Sequence, residues 1–194
     1  MHRNALILAL LVCLITTLPA LAQPEKGSTM ISGTVSFSHY SGDLYSSYTD
    51  VMLAPNVSYF LTPNVALGGE LAGGLSSGNG YTTTRVLIGP SLNVYFSSAS
   101  QVVPYVGGAL LLESESHRYS GHTFTYSGNS IKLRAGLAWF VRPALALTPE
   151  FQINFDTREE PEGYWNGQAH TVNMHGTVVS FGMGISGLLG PHKK

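Results

Sequence analysis

The stretch 131–156 alternates strictly on both sides of Arg142-Pro143, and that pattern constrains the chain more than any other feature. In the first run Ile131, Leu133, Ala135, Leu137, Trp139 and Val141 share one face of an extended strand, and Lys132, Arg134, Gly136, Ala138 and Phe140 share the other. The reason is that successive strand side chains point to opposite sides. In the second run Leu145, Leu147, Pro149, Phe151, Ile153 and Phe155 oppose Ala146, Thr148, Glu150, Gln152, Asn154 and Asp156. The stretch therefore reads as a β-hairpin with a purely apolar side and a charged side. What the rest of the chain must decide is which side meets water, and whether the other meets a protein core or lipid.

The same period recurs at 30–40, 51–61, 65–75, 82–96 and 176–188, and 102–113 is a further strand too evenly apolar for its faces to be assigned. Eight antiparallel strands result. Connections at 41–50, 76–81, 114–129 and 157–175 are long, whereas those at 62–64, 97–101 and 142–143 are short. All long connections thus lie at one end, the asymmetry of a membrane barrel with short periplasmic turns and longer extracellular loops. Strand length agrees, because a tilted transmembrane strand needs about 9–11 residues and soluble strands average about 5–6.

The N-terminus carries His2 and Arg3, an apolar run from Ala5 to Ile15, and Ala20-Leu21-Ala22 ahead of Gln23. That is the form of a Sec-type signal peptide, residues 1–22, which leaves 23–194 as one barrel domain. The single cysteine, Cys13, falls inside the leader. The mature chain then has no disulfide, no thiolate metal site and no thiol nucleophile. Charged residues make up 11% of the sequence and nearly cancel at a net charge of -1, which gives no electrostatic case for nucleic acid.

The segments 55–68, beginning Pro55-Asn56-Val57 and running through Thr62-Pro63-Asn64, together with Pro104-Tyr105-Val106-Gly107-Gly108 and 139–149, look like hairpins of the porin-like outer-membrane β-barrel superfamily. The chain resembles its small OmpA-type and OmpX-type barrels over nearly the whole mature length. The motifs are patterns of aromatic, glycine and turn residues, so the resemblance speaks to fold more than to activity. It implies an all-β, eight-stranded antiparallel up-and-down transmembrane barrel in the cell outer membrane. It also implies contact with outer-membrane lipid, lipopolysaccharide and the assembly machinery. Such barrels commonly end on an aromatic residue, whereas this sequence ends Pro191-His192-Lys193-Lys194. The assembly signal is then expected around Phe181 to Ile185, or assembly differs.

With the apolar face in lipid, Glu70, Arg85, Lys132, Arg134 and Glu150 point into the lumen. Isolated charges there are costly, so a crossing network Glu70–Arg134–Glu150 is expected, flanked by Arg85 and Lys132. An eight-stranded barrel is just wide enough for side chains to fill, which makes the network a plug. The expected role is structural or surface-interactive, adhesion or envelope integrity, in a monomer with no catalysis, cofactor or metal. Tyr164 and Trp165, at the tip of the last long connection, are the candidate contacts for host or envelope surface molecules.

Other readings stay open at this point. One is a narrow, low-conductance pore for small solutes. Another is a barrel-embedded lipid-modifying enzyme, for which His39-Tyr40-Ser41 offers a His-x-Ser pair at the rim. A third is a secreted lipocalin-like binder with the apolar face inward, though the polar face is mostly Ser, Thr, Gly and Ala and suits a crowded lumen better than a wet exterior. His39, His117, His122, His170 and His175 gather near the long-connection end but match no standard metal spacing.

Overall fold

A computed structural model of the chain describes residues 24–42, 49–78, 81–96, 100–119, 122–165 and 168–190, so the expected signal peptide lies outside the described residues. The eight strands are β1 (Thr29–Gly42), β2 (Thr49–Thr62), β3 (Val65–Gly78), β4 (Tyr81–Tyr95), β5 (Val102–Tyr119), β6 (His122–Arg142), β7 (Leu145–Trp165) and β8 (Gln168–Leu189). They form a closed barrel in sequence order, each antiparallel to its neighbours. β8 returns to β1 in a continuous ladder from Thr29 opposite Leu189 to Gly42 opposite Gly176.

The alternation sorts as the hairpin pattern requires. Phe37, Leu75, Ile88, Leu112, Ile131, Phe151 and Phe181 stand on the outer wall, exposed. Small or polar residues such as Thr34, Ser36, Ala54, Asn56, Ala72, Ser91 and Asn154 are buried inside. An inward apolar face of the lipocalin kind is thereby overturned. On β7 the outward apolar positions run from Leu145 to Phe155. At ~3.3 Å per residue and a tilt of ~45°, such a run covers ~25 Å, the height of the apolar band of a membrane barrel. The faces of β5 also resolve: Val103, Tyr105, Ala109 and Leu111 turn inward, Val106, Leu110 and Leu112 outward.

The short turns are fixed locally. Thr62 Oγ1 accepts the backbone N–H groups of Asn64 at 3.2 Å and Val65 at 3.0 Å, a hydroxyl-closed turn. Asn64 Nδ2 then donates to the Tyr95 carbonyl at 2.7 Å and fastens this turn to β4. Just above these turns Met30, Phe60, Tyr95, Val103, Tyr105, Phe140 and Leu188 cluster as an apolar floor of the lumen. The rings of Phe60 and Tyr95 lie 5.2 Å apart and those of Tyr95 and Tyr105 5.3 Å, tilted contacts within the favourable aromatic range.

Three of the four expected long connections, 76–81, 114–129 and 157–175, are corrected. Residues 114–119 and 122–127 pair as ladder, from Ser114 opposite Ser127 to Tyr119 opposite His122. Residues 157–175 likewise pair up to Trp165 opposite Gln168, and the connection at 76–81 shrinks to the two residues between Gly78 and Tyr81. Apolar residues stop where lipid stops, but backbone pairing does not need them. Once the hairpins are nucleated, Ser, Thr, His and Tyr continue the period and suit a strand.

Glycine placement shows how tightly neighbouring strands pack. A Cβ on Gly89 would sit 1.9 Å from the Leu110 carbonyl oxygen, a backbone atom that cannot swing away, whereas one on Gly33 would meet nothing within 4 Å. Gly89→Ala should therefore cost about 1–3 kcal/mol as an overpacked site, with Gly33→Ala near neutral. Urea unfolding of the refolded barrel, followed by heat-modifiable gel mobility, checks the contrast. Equal midpoints for the two variants would refute it.

Candidate functional site in the barrel lumen

Two tiers of buried charge cross the lumen above the apolar floor. In the lower tier Glu70 on β3 is 3% exposed. Lys132 Nζ donates to its Oε1, and Arg134 Nη2 donates to its Oε2 at 2.7 Å. Both cations start on β6 and span the barrel to reach it. Ala54, Ala72 and Ala109 are buried on the inner wall in a cluster with Met52, Leu87 and Leu111.

Glu150 has different partners from those expected. Arg134 faces Gln152 in the ladder and Gly136 faces Glu150, because Pro143 and Ala144 rather than Arg142 and Pro143 make the turn, with Arg142 opposite Leu145 and a one-residue shift between Phe140 and Arg142. Tyr105 Oη donates to Glu150 Oε2 at 2.6 Å, and Gln152 Nε2 donates to Oε1 at 2.6 Å. Gly136 makes the first bond feasible: a Cβ there would lie 2.8 Å from the Tyr105 ring and hydroxyl. The direct chain Glu70–Arg134–Glu150 is thus replaced by a pair of cations on Glu70 and a phenol and an amide on Glu150.

Arg85 belongs to a separate upper tier. Its Nε and Nη2 donate to Glu113 Oε1 and Oε2 at 2.8 and 2.9 Å, a bidentate fork, and Nη2 also reaches Asp156 Oδ2 at 2.5 Å. Arg158 Nη2 donates to Glu113 Oε1 at 2.7 Å and to Glu115 Oε2 at 2.6 Å. His117, about one third exposed at its side chain, closes the tier with Nε2 2.5 Å from Glu115 Oε1 and Nδ1 3.2 Å from Thr83 Oγ1. Such forks are geometrically specific and mutually polarised, which is how charges with side chains 0–2% exposed are held in the interior.

Sequence reasoning missed Tyr105, Glu113, Glu115, Asp156 and Arg158 as members of this array. The available signal was the period itself: Glu113, Glu115 and His117 continue the inward set of β5, and Asp156 and Arg158 that of β7. Between the tiers and the floor remains a cavity with about 20 Å³ open to the centre of a water molecule, lined by Asn56, Glu70, Tyr105, Arg134, Thr148 and Glu150 among others. That is room for a water or two.

The backbones of Tyr164 and Trp165 lie in the β7–β8 hairpin, opposite Ala169 and Gln168, and their side chains lie outside the described ones. The same holds for His39, Ser41, His122 and His170. His175 is exposed near Thr157, with Nδ1 3.2 Å from its Oγ1, away from His117. Among the described residues no group of three or more His, Cys, Asp and Glu could hold a metal ion.

A family model described as the outer membrane protein beta-barrel domain matches residues 7–184. No curated protein matches the sequence. Among solved structures, the chain is similar to neisserial surface protein A, with a TM-score of 0.67 at 15% identity, covering 83% of this chain and 98% of that one. It is similar to Ail, the attachment invasion locus protein of Yersinia pestis, with a TM-score of 0.57 at 12% identity over 84% of this chain and 99% of that one. The N-terminal barrel domain of Pseudomonas aeruginosa OprF gives 0.52 at 14%, covering 86% and 100% respectively. At these identities the likeness is one of fold.

The upper tier makes a specific demand on stability. Arg85→Ala takes the bidentate guanidinium from Glu113, which keeps Arg158, and removes one positive charge from a tier that still holds Glu113, Glu115 and Asp156, so it should cost about 3–5 kcal/mol, the range for breaking a buried ion pair. Adding Glu113→Gln and Asp156→Asn should restore part of that loss, since the surplus negative charge is then gone. Thermal midpoints of the heat-modifiable band measure both steps. A triple variant no more stable than Arg85→Ala would contradict the assignment.

Proposed function

The chain belongs to the outer membrane protein β-barrel domain family, and from that premise we propose that it is a closed, non-conducting barrel whose work is done at its cell-exterior end. It resides in the outer membrane. The observation that carries the proposal is the crossing of the lumen by Lys132 and Arg134 to Glu70, beneath the forks of Arg85 and Arg158 and above the apolar floor. A solute would have to break a tier of desolvated ion pairs, each stabilised by the low dielectric around it. The lumen is a strut, and its contents stabilise the wall.

A surface role follows from what is left once transport is set aside. β5 to β8 run 18, 21, 21 and 22 residues against 14 or 15 for β1 to β4, so one half of the barrel projects beyond the lipid belt. That half carries Tyr164 and Trp165 to its tip, and amphipathic aromatics of this kind anchor protein and glycan contacts. The fold neighbour Ail, an attachment invasion locus protein also crystallised with the heparin analogue sucrose octasulfate, lends support to adhesion as the form this role takes. No catalytic step is assigned.

Two measurements test the proposal. In planar bilayers the refolded protein should show no stepwise ohmic openings, and Lys132→Ala with Arg134→Ala should stay closed as well, because the forks of Arg85 and Arg158 and the apolar floor still block the lumen; regular openings in the parent protein would defeat the closed-barrel reading. Separately, Tyr164→Ala with Trp165→Ala should lower binding of whole cells to immobilised host surface or sulfated glycan while folded gel mobility is kept. Undiminished binding would remove the hairpin tip from the role.

A further inference from the structure

The upper tier encloses more carboxylate than guanidinium. Glu113, Glu115 and Asp156 share Arg85 and Arg158. Asp50 on β2, 5% exposed, lies at the same level: a Cβ on Gly74 would stand 3.0 Å from its Oδ2, and Gly74 is opposite Arg85 in the ladder. Beyond Arg158 the β7–β8 hairpin adds Glu159, Glu160 and Glu162 in sequence, with no Lys or Arg before Lys193. A buried carboxylate without a matching cation is costly. Among the described residues, the group besides the two arginines that can carry positive charge to this tier is His117.

Three strands hold its imidazole. On β5 itself Glu115 Oε1 lies 2.5 Å from Nε2, on β4 Thr83 Oγ1 lies 3.2 Å from Nδ1, and on β6 the Tyr126 ring stands edge-on at 5.4 Å and 76°. Behind this contact Arg158 of β7 places Nη1 and Nη2 at 3.2 and 2.6 Å from the Glu115 oxygens, and Arg85 of β4 places Nε at 3.8 Å. Glu113 and Asp156 lie deeper, on those same guanidiniums. Arg118, the next residue on β5, is exposed on the outer wall. The His117 side chain is 34% exposed and that of Glu115 is 1% exposed. A proton taken up from the exterior therefore delivers its charge to the enclosed carboxylates.

We propose that His117 is a proton-operated clasp at the extracellular mouth, whose imidazolium completes the charge of the upper tier and tightens the hold of β4, β5 and β6 on the base of the β7–β8 hairpin. The clasp rests on the surface role proposed for the projecting half and supplies its regulation. Both charge states keep the bonds. A neutral ring with its proton on Nε2 donates to Glu115 and accepts the Thr83 hydroxyl at Nδ1; an imidazolium donates at both nitrogens, and Thr83 Oγ1 accepts. Charge is what changes. Burial raises the Glu115 carboxyl, but the hydrogen bond from His117 and the guanidiniums of Arg158 and Arg85 outweigh it and hold the group below the ordinary carboxylate range. The contribution of Glu115 is thus lost only as pH falls below that range, while histidine is the side chain that changes charge between about pH 5 and 8. Within that window the clasp tightens as pH falls and loosens as pH rises.

The test uses the full refolded barrel in nanodiscs and reads amide hydrogen exchange, corrected for the intrinsic effect of pH, at about pH 5.5 and about pH 8. Protection of the Ser116, Thr125 and Arg158 amides should be several-fold greater at the lower pH, with Leu133 and Ile153 in the lipid belt unchanged. His117→Gln, which can still donate to Glu115 but cannot titrate, should abolish the difference. A purely structural histidine would give no difference to abolish. Equal protection at the two pH values, the opposite sign, or a difference that survives in His117→Gln overturns the clasp. Should that variant fail to close, as judged by gel mobility, the ring nitrogen resonances of His117 in the parent protein decide. Protonation of both nitrogens at the lower pH and of Nε2 alone at the higher is expected; a ring that does not titrate, or a neutral ring protonated on Nδ1, is the contrary result. Absent cell binding at both pH values, with the exchange contrast intact, would remove the surface role and retain the clasp, so the two readings fail separately.

Discussion

Backbone hydrogen bonding is the constraint on which everything else in this barrel rests. In hydrocarbon no water is available to an open sheet edge, and each unsatisfied N–H or C=O costs several kcal/mol, which leaves a closed ladder as the way for strands to span. The register from β1 round to β8 and back to β1 meets that requirement. Closure with eight strands then fixes a narrow interior. Glycines where strands or rings press together are a response to that narrowness.

Ion pairs are a costly way to fill such a space, and their arrangement shows why they are tolerated. Glu70 holds two cations from the opposite wall. Glu113 receives both Arg85 and Arg158, so β4, β5 and β7 are tied at one point. Contacts of this kind join strands that are not neighbours in the ladder, something the backbone bonds cannot do. The barrel is cross-braced through its centre.

The fold was legible in the sequence because the period of two survives any tertiary context. Ile131 to Val141 and Leu145 to Phe155 announce their outward faces without help. The charged face was legible as a set, since Lys132, Arg134 and Glu150 share a parity. Their partners were not. Arg134 and Glu150 are level when counted from Arg142-Pro143, but the turn lies at Pro143-Ala144, which alters the count, and Tyr105 takes the place that Arg134 was expected to fill. Likewise 114–129 and 157–175 read as loops because their apolar residues end, while the paired backbone runs on.

Local alternation by itself therefore determined the strand count, the lipid-facing side and part of the list of charges that had to be enclosed, Glu70, Arg85, Lys132, Arg134 and Glu150. Those are properties of single strands, set by the direction in which each side chain leaves the backbone. Which charge meets which, and how far the hairpins extend past the membrane, depend on register and on distances across the closed barrel. The missing Cβ at Gly136 bears on the first and the ladders at 114–127 and 157–175 on the second, and only the tertiary structure carries that information.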